Sequence, residues 1–321
     1  MPALFPPKFW SRSGIAPSLL QPLAQAFAAI GAARAAVATV QRAPVPVICV
    51  GNLVVGGAGK TPVVESIASL LAARGRRPAI LSRGYAGTLR GPMRVDAARN
   101  TAREVGDEPL LLARTAPVWI GTDRAASARA AAADGADCAI MDDGFQNTRI
   151  AKDLSLLVID GAYGLGNGRV MPAGPLREPA KRGLARADAV VMLGQDRTGL
   201  EPQLAKPVLR ATLEPVNGAD FASQPVIAFA GIGRPEKFFA TLESCGAHLI
   251  ARHAFPDHHR YTDAELRRLA GKASSTLLVT TEKDWVRLTP DWRARIAALA
   301  VRVIWQDETR LLDLLNSVIS A

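Results

Sequence analysis

The sequence predicts an α/β protein, a P-loop NTPase-type α/β/α sandwich joined by a hinge to a second, smaller α/β/α unit. Three observations carry that expectation. From Val45 onward, short and almost wholly apolar runs alternate with segments of helical spacing, the pattern of a parallel sheet covered on both faces. The first of those runs leads into a glycine-rich stretch ending Gly59-Lys60-Thr61. The alternation then lapses over Glu214–Pro225, which holds two prolines, Asn217 and Gly218, and restarts at Val226. The expected units are residues 1–44 as a membrane-interface helix, 45–213 as the nucleotide-binding domain, 214–225 as the hinge and 226–321 as the second domain.

At the amino terminus, Ser13 to Ala33 carry no charge but include Pro17, Pro22, Gln21, Gln25 and many alanines. Prolines and glutamines oppose insertion and alanine contributes little to it, so a spanning helix is not expected. The composition favours a helix lying in a membrane interface. Phe5, Phe9, Trp10, Leu19, Leu20, Leu23, Phe27 and Ile30 would supply its apolar face, and Lys8, Arg12, Arg34 and Arg42 would meet anionic head groups. Two alternatives stay open: a helix packed on the protein's own core, and a secretory leader with small residues near Gly31 to Ala33. A leader fits poorly with an ATP site, because the periplasm lacks ATP.

Strands are expected at Val45–Val50, Pro78–Leu81, Val118–Gly121, Cys138–Met141, Leu154–Ile159 and Ala189–Leu193. Helical spacing occupies Val63–Arg74, Glu108–Arg114 and Arg124–Asp134 between the early ones. Beyond the hinge the order is Val226–Ala230, helix Glu236–Cys245, strand His248–Arg252, helix Asp263–Lys272, strand Leu277–Thr280, a helix, strand Val301–Trp305 and helix Glu308–Ile319.

Composition narrows the function classes. The 321 residues suffice for two such units, and 49% hydrophobic with 21% charged residues excludes a wholly disordered chain. No later apolar run approaches the roughly 20 residues of a membrane span. Lys and Arg number 39 against 29 Asp and Glu, a net charge of +10, which favours phosphorylated or lipid partners. The basic residues are scattered, with no aromatic-interleaved basic strip, so nucleic acid is not expected. No obligate protein partner is evident either. Cys49, Cys138 and Cys245 are odd in number and far apart, reading as small hydrophobes in a reducing compartment.

The strongest motif runs from Val50-Gly51-Asn52-Leu53-Val54 through Val55-Gly56-Gly57-Ala58-Gly59-Lys60-Thr61-Pro62. Glycines between a buried strand and a helix let backbone N–H groups turn inward around phosphates at the positive helix end. Lys60 would reach the β- and γ-phosphates of ATP and the Thr61 hydroxyl would bind Mg²⁺. Val54 stands where the usual pattern has its first glycine, so the turn needs another closure, for which the Gly51-Asn52 pair is the candidate. A carboxylate for the metal is expected after an apolar strand, and Asp142-Asp143-Gly144 lies there. Adjacent side chains diverge along a strand, so the two acids cannot play one role unless the chain turns.

A kinase acting on a hydroxyl also needs a proton acceptor in line with the γ-phosphate. Asp107 precedes a helical segment, and its spacing alone fits a helix cap better. Phe255-Pro256-Asp257-His258-His259-Arg260-Tyr261-Thr262 gathers further candidates, with a Thr262 cap as the plainer reading. Thr281-x-x-Asp284 reads as a capping box with Lys283 on an exposed first turn. A membrane-associated ATPase switch is the main rival class, although such switches often carry Lys where this chain has Val55.

Together these motifs resemble the tetraacyldisaccharide 4′-kinase family. Gly51-Asn52-Leu53 with Val55 to Pro62, Ser82-Arg83-Gly84-Tyr85, Gly106-Asp107-Glu108-Pro109 and Asp142-Asp143-Gly144-Phe145-Gln146 occur in order. Pro172-Ala173-Gly174-Pro175-Leu176-Arg177-Glu178, Phe255-Pro256-Asp257-His258 and Thr281-Glu282-Lys283-Asp284 follow. The resemblance implies ATP-dependent phosphorylation of the 4′-hydroxyl of a tetraacylated glucosamine disaccharide 1-phosphate, giving lipid IVA in lipid A biosynthesis. It implies a peripheral protein at the cytoplasmic face of the bacterial inner membrane. Asp107 matches the family's catalytic carboxylate, His258 the histidine paired with it, and Asp142 and Asp143 the acids near Mg²⁺. Asn52, Arg83, Gln146 and Arg177 are candidates for substrate contact. Asn147 departs from the pattern, standing where relatives often carry His.

Overall fold

The computed structural model describes residues 7–12, 14–271 and 276–319. Among the described residues, thirteen strands form two sheets. The first eight are β1 (Val47–Gly51), β2 (Pro78–Ser82), β3 (Met93–Arg94), β4 (Val118–Ile120), β5 (Cys138–Asp142), β6 (Leu154–Asp160), β7 (Ala189–Leu193) and β8 (Val208–Pro215). They are followed by β9 (Pro225–Ala230), β10 (His248–Ala254), β11 (Leu277–Thr281), β12 (Ala297–Leu299) and β13 (Val301–Trp305). The larger sheet has the order β13-β8-β7-β6-β1-β5-β2-β4-β3, parallel except at its edges, where β3 and β13 run antiparallel to their neighbours. The smaller sheet, β10-β9-β11-β12, is wholly parallel.

The uniform burial of β1, β2, β5, β6 and β7 follows from their continuous apolar runs, since helices cover both faces of the sheet. On one face, Val63, Val64, Ile67, Ala68 and Leu71 of helix Lys60–Ala72 pack against Ile48, Ile80 and Ile140. On the other, Ala125, Ala128 and Ala131 of helix Arg124–Ala133 meet Cys49, Leu81 and Met141. Cys49 and Cys138 are buried and Cys245 is half-buried, all three as free thiols.

The expected division into units needs correcting at its end. Residues 226–321 do not all form the second domain, because β13 and helix Glu308–Ile319 return to the larger sheet. β13 pairs with β8, Trp305 Nε1 donates to Ser66 Oγ at 2.8 Å, and Leu311, Leu315 and Ile319 join the core under helix Lys60–Ala72. Three strands also escape the pattern: β3 and β12 are very short, and β8 alternates buried and exposed residues with Arg210 and Glu214 on its open face.

The chain therefore crosses between units twice, once over residues 216–224 and once at Ala300. β8 runs to Pro215, so the first crossing is shorter than the expected hinge. Asn217 ties the crossings together: its Nδ2 donates to Ala298 O at 3.0 Å and its Oδ1 accepts from Ala300 N at 2.9 Å. Val216 N adds a bond to Ala300 O.

The amino-terminal helices, Ile15–Leu19 and Gln21–Ala36, have two faces. Pro17 and Ala24 are buried and Leu20 and Ala28 pack on the larger domain, as the core-packed alternative predicts. Ile15, Leu19, Leu23, Phe27 and Ile30 remain exposed on a neighbouring stripe. Leu20 thus belongs to the docked face. Trp10 sits on a loop of the larger domain, its indole N–H donating to Pro172 O at 3.0 Å, and Phe5 lies outside the described residues. Among the described residues no helix is long and apolar enough to cross a membrane.

Asn217→Ala removes two side-chain bonds across the paired crossings. It is expected to lower stability by about 1–3 kcal/mol, read as a drop in the urea midpoint at unchanged slope.

Candidate active site

The phosphate loop leaves the end of β1, where Gly51 lies so close to Phe145 that a Cβ would stand 2.4 Å from that side chain. Val54 does not turn the chain as a glycine would. It forms an antiparallel bridge with Leu176, and Val55 N donates to Pro175 O at 2.9 Å. The closure falls to the Asn52 side chain, whose Nδ2 donates to Val54 O at 2.8 Å. Asn52 is fully buried and its Oδ1 accepts from Lys60 Nζ at 3.1 Å, so it aims the lysine. Gly56 (φ 103°) and Gly59 (φ 81°) take left-handed conformations that other residues disfavour. The helix starts at Lys60, placing Thr61 and Pro62 in its first turn behind the amides of Val55 to Gly59.

The acidic pair separates as a strand end requires. Asp142 is the last residue of β5, and Asp143, with φ 52°, already turns. Asp143 pairs with Lys60 at 3.6 Å and with Arg177 at 2.9 Å. Burial works against its charge, but Lys60 and Arg177 outweigh burial and hold the carboxyl below the usual range. Asp142 is buried with Oδ1 lacking any partner, and its pKa is pushed up to about 8 by burial, with Glu108 and Asp143 adding to the rise.

That orphaned oxygen fits a cation. Among the described residues no three acidic, His or Cys side chains cluster as a metal cage. Mg²⁺ in nucleotide sites takes one or two carboxylates, waters and phosphate oxygens, so Asp142 with the Thr61 hydroxyl suits it.

Gln146 donates to Asn52 O at 2.9 Å and to Glu178 Oε1 at 3.1 Å, bracing the loop from behind. Arg177 is likewise occupied by Asp143. Both candidates for substrate contact are thus engaged by neighbouring protein groups. Arg83 is exposed just past β2, with Tyr85 beyond it, and Asn147 accepts the amide of Arg149.

Asp107 is the first residue of helix Asp107–Leu112, with Gly106 at the cap position, so the cap reading fails. That helix packs against the helix following the phosphate loop. The buried carboxylate is met from the second unit. His258 Nδ1 lies 3.1 Å from Asp107 Oδ2, and a carboxylate can only accept, so the ring nitrogen is the N–H donor. His258 takes a left-handed φ of 58° and its ring lies 5.1 Å from that of Tyr85. His259 instead faces Glu265 within its own unit, where Thr262 caps helix Asp263–Ala270 as expected.

Two further residues meet the Asp107 helix. Lys283 is not on an open turn: its Nζ donates to Glu108 Oε1 at 3.0 Å, while Thr281 caps through the Asp284 amide. Arg287, which sequence reasoning passed over, donates from Nε to Asp107 Oδ2 at 2.8 Å and from Nη2 to the same oxygen. Burial would raise the pKa of Asp107, but Lys283, the His258 bond and Arg287 together hold it far below the carboxylate range. The one available signal for Arg287 was its place three residues past Asp284. Near the loop, Arg234 Nη2 donates to Gly57 O at 2.6 Å and pairs with Asp160.

Residues 16–320 match the family described as Tetraacyldisaccharide-1-P 4′-kinase. The chain belongs to this family. It is 54% identical to the tetraacyldisaccharide 4′-kinase of Rhodospirillum centenum over 98% of this chain and 96% of that one. It is 52% identical to the enzyme of Paramagnetospirillum magneticum, covering 97% and 98%. The crystal structure of LpxK from Aquifex aeolicus in complex with ATP superposes with a TM-score of 0.77 at 30% identity, covering 95% of this chain and all of that one. Kinase-family membership with a P-loop α/β fold excludes the ATPase-switch alternative.

Asp142→Asn tests the metal assignment in two ways. An acid whose folded pKa exceeds its unfolded value costs stability as pH rises from about 4 to about 8. The variant is expected to lose that decline between about pH 4 and pH 8 in nucleotide-free thermal melts. Its Mg²⁺ requirement for activity should rise by about 10-fold or more, and an unchanged Mg²⁺ titration would remove Asp142 from the metal site.

Proposed function

We propose that this family member transfers the terminal phosphoryl group of ATP to the 4′-hydroxyl of tetraacylated glucosamine disaccharide 1-phosphate with Asp107 as proton acceptor. The kinase activity in lipid A biosynthesis follows from family membership. The assignment of Asp107 rests on one observation above the others, a buried carboxylate at the join of the units, reached by His258 and Arg287 from the far side.

ATP lies along the loop Val55–Pro62, with Lys60 toward the terminal phosphates. Thr61 and Asp142 would hold Mg²⁺, with Asp143 beside them keeping Lys60 and Arg177 in place. When bound, the ion neutralises charge on the phosphates. Asp107 orients the alcohol and accepts its proton as the new P–O bond forms and the bond to ADP breaks. The His258 N–H steadies the carboxylate by donating to Oδ2. Seating of the second unit keeps water from competing for the phosphoryl group.

The protein is peripheral at the cytoplasmic face of the inner membrane in this reading. The exposed stripe Ile15, Leu19, Leu23, Phe27 and Ile30 supports that placement, with Lys8, Arg12, Arg34 and Arg42 available to anionic head groups.

Asp107→Ala should lower kcat by about 10²–10⁴ with little change in ATP affinity, measured as phosphate transfer to the disaccharide lipid. Near-normal turnover would sink the base assignment. Leu23→Gln with Phe27→Gln, both exposed, should leave thermal stability intact, reduce sedimentation with anionic vesicles and raise KM for lipid; unchanged vesicle binding would remove the interfacial role.

A further inference from the structure

Among the described residues, every polar contact to the Asp107 side chain other than the Glu108 amide comes from the second unit. Oδ2 accepts His258 Nδ1 and two arms of Arg287. Oδ1 accepts only Glu108 N at 3.0 Å, which leaves it acceptor capacity for an incoming hydroxyl.

The Arg287 side chain is only 6% exposed and is committed on both edges. Its Nη1 donates to Gly231 O at 2.8 Å and to Asp284 Oδ1 at 2.7 Å. Asp284 is itself fully buried and immobilised by Tyr261 Oη at 2.8 Å, Thr281 Oγ1 at 2.6 Å and Gly231 N at 3.0 Å. The guanidinium plane is thus fixed before it meets Asp107. A buried ion pair of this kind is weak ground for stability, because desolvating both charges offsets their attraction. Its position at the proton acceptor asks for a different account.

We propose that Arg287 is a positioning residue for phosphoryl transfer, its fork locking the Asp107 carboxylate with Oδ2 turned to the second unit and Oδ1 left for the alcohol. The inference rests on the reading of Asp107 as the base. Guanidinium does not give up its proton, so Arg287 steadies the charge of Asp107 without competing in the transfer, and His258 remains the neighbour able to move a proton. The base is then assembled only when the second unit is seated. The charged and titratable groups facing Asp107 are His258, Lys283 and Arg287 from that unit and Glu108 from its own helix. Asp257, Asp284 and Tyr261 stand behind them.

The sign of the pH effect follows. With Arg287 present, Asp107 stays ionised, and active, through the ordinary carboxylate range. Without the fork, one of the groups that oppose burial is gone while Lys283 and His258 remain, so the carboxyl takes up its proton at higher pH than in the wild type, and activity falls as pH drops through that raised value.

The test compares the full-length wild type with Arg287→Gln, Arg287→Lys and Asp107→Ala, measuring phosphate transfer to the disaccharide lipid in mixed micelles from pH 5 to 9. Arg287→Gln is expected to lower kcat about 10- to 100-fold at pH 7, with KM for ATP within about two-fold of the wild type. It should also gain an acid limb that partly recovers toward pH 9. Arg287→Lys, which keeps the charge but not the fork, should lose about 10-fold in kcat without the new acid limb. A loss in Arg287→Gln that is equal at every pH would overturn the proposal, as would wild-type kcat in either variant. If Arg287→Gln fails to fold, judged by lost ATP binding, the lysine variant decides by its kcat. Normal turnover by Asp107→Ala would defeat the underlying base reading. An inactive Asp107→Ala beside fully active Arg287 variants would defeat this inference alone.

Discussion

The contact on which the arrangement depends is the meeting of Asp107 with Arg287 and His258 across the join of the two units. Asp107 starts a short helix of the larger domain, while both partners descend from loops of the smaller sheet. A carboxylate buried at that join tolerates no loose docking, since removing its cation would strand an unpaired charge in a dry site. The paired crossings stitched by Asn217 and the return of β13 to the larger sheet give the second unit a defined seat from which this contact is made.

On the nucleotide side, a second constraint shapes the acids. Two adjacent aspartates end up in opposite conditions because the strand stops between them. Asp143 turns into Lys60 and Arg177 and stays charged, and Asp142 stays in the sheet with an unpartnered oxygen and a raised pKa. Environments that split neighbouring carboxylates in this way allow one to be structural and the other to receive a cation. Asn52 and Gln146, drawn in behind the loop, substitute for the glycine that Val54 replaces.

The amino-terminal helix carries two distinct stripes. Its alanine-rich stripe packs on the larger domain, where small side chains allow close approach, and its bulky apolar stripe stays outside. That exposed stripe is the observation on which the proposed membrane contact rests.

Much of this protein was legible in its sequence because the signals were local. Buried parallel strands announce themselves as apolar runs, the phosphate loop as glycines before Lys60-Thr61, and Thr262 as a cap by its spacing to Glu265. Local signals misassigned residues 301–319, since a strand with apolar alternation does not say which sheet it joins, and Trp305 finds its partner at Ser66. They also favoured a cap role for Asp107 and an exposed turn for Lys283, both reversed by charges some 150 to 180 positions away in the chain. Residue type and short spacing determined the nucleotide loop and the family. Which carboxylate faces which cation was decided by tertiary structure alone, because electrostatic partnership depends on distance in space and burial, and neither is written in the neighbouring residues.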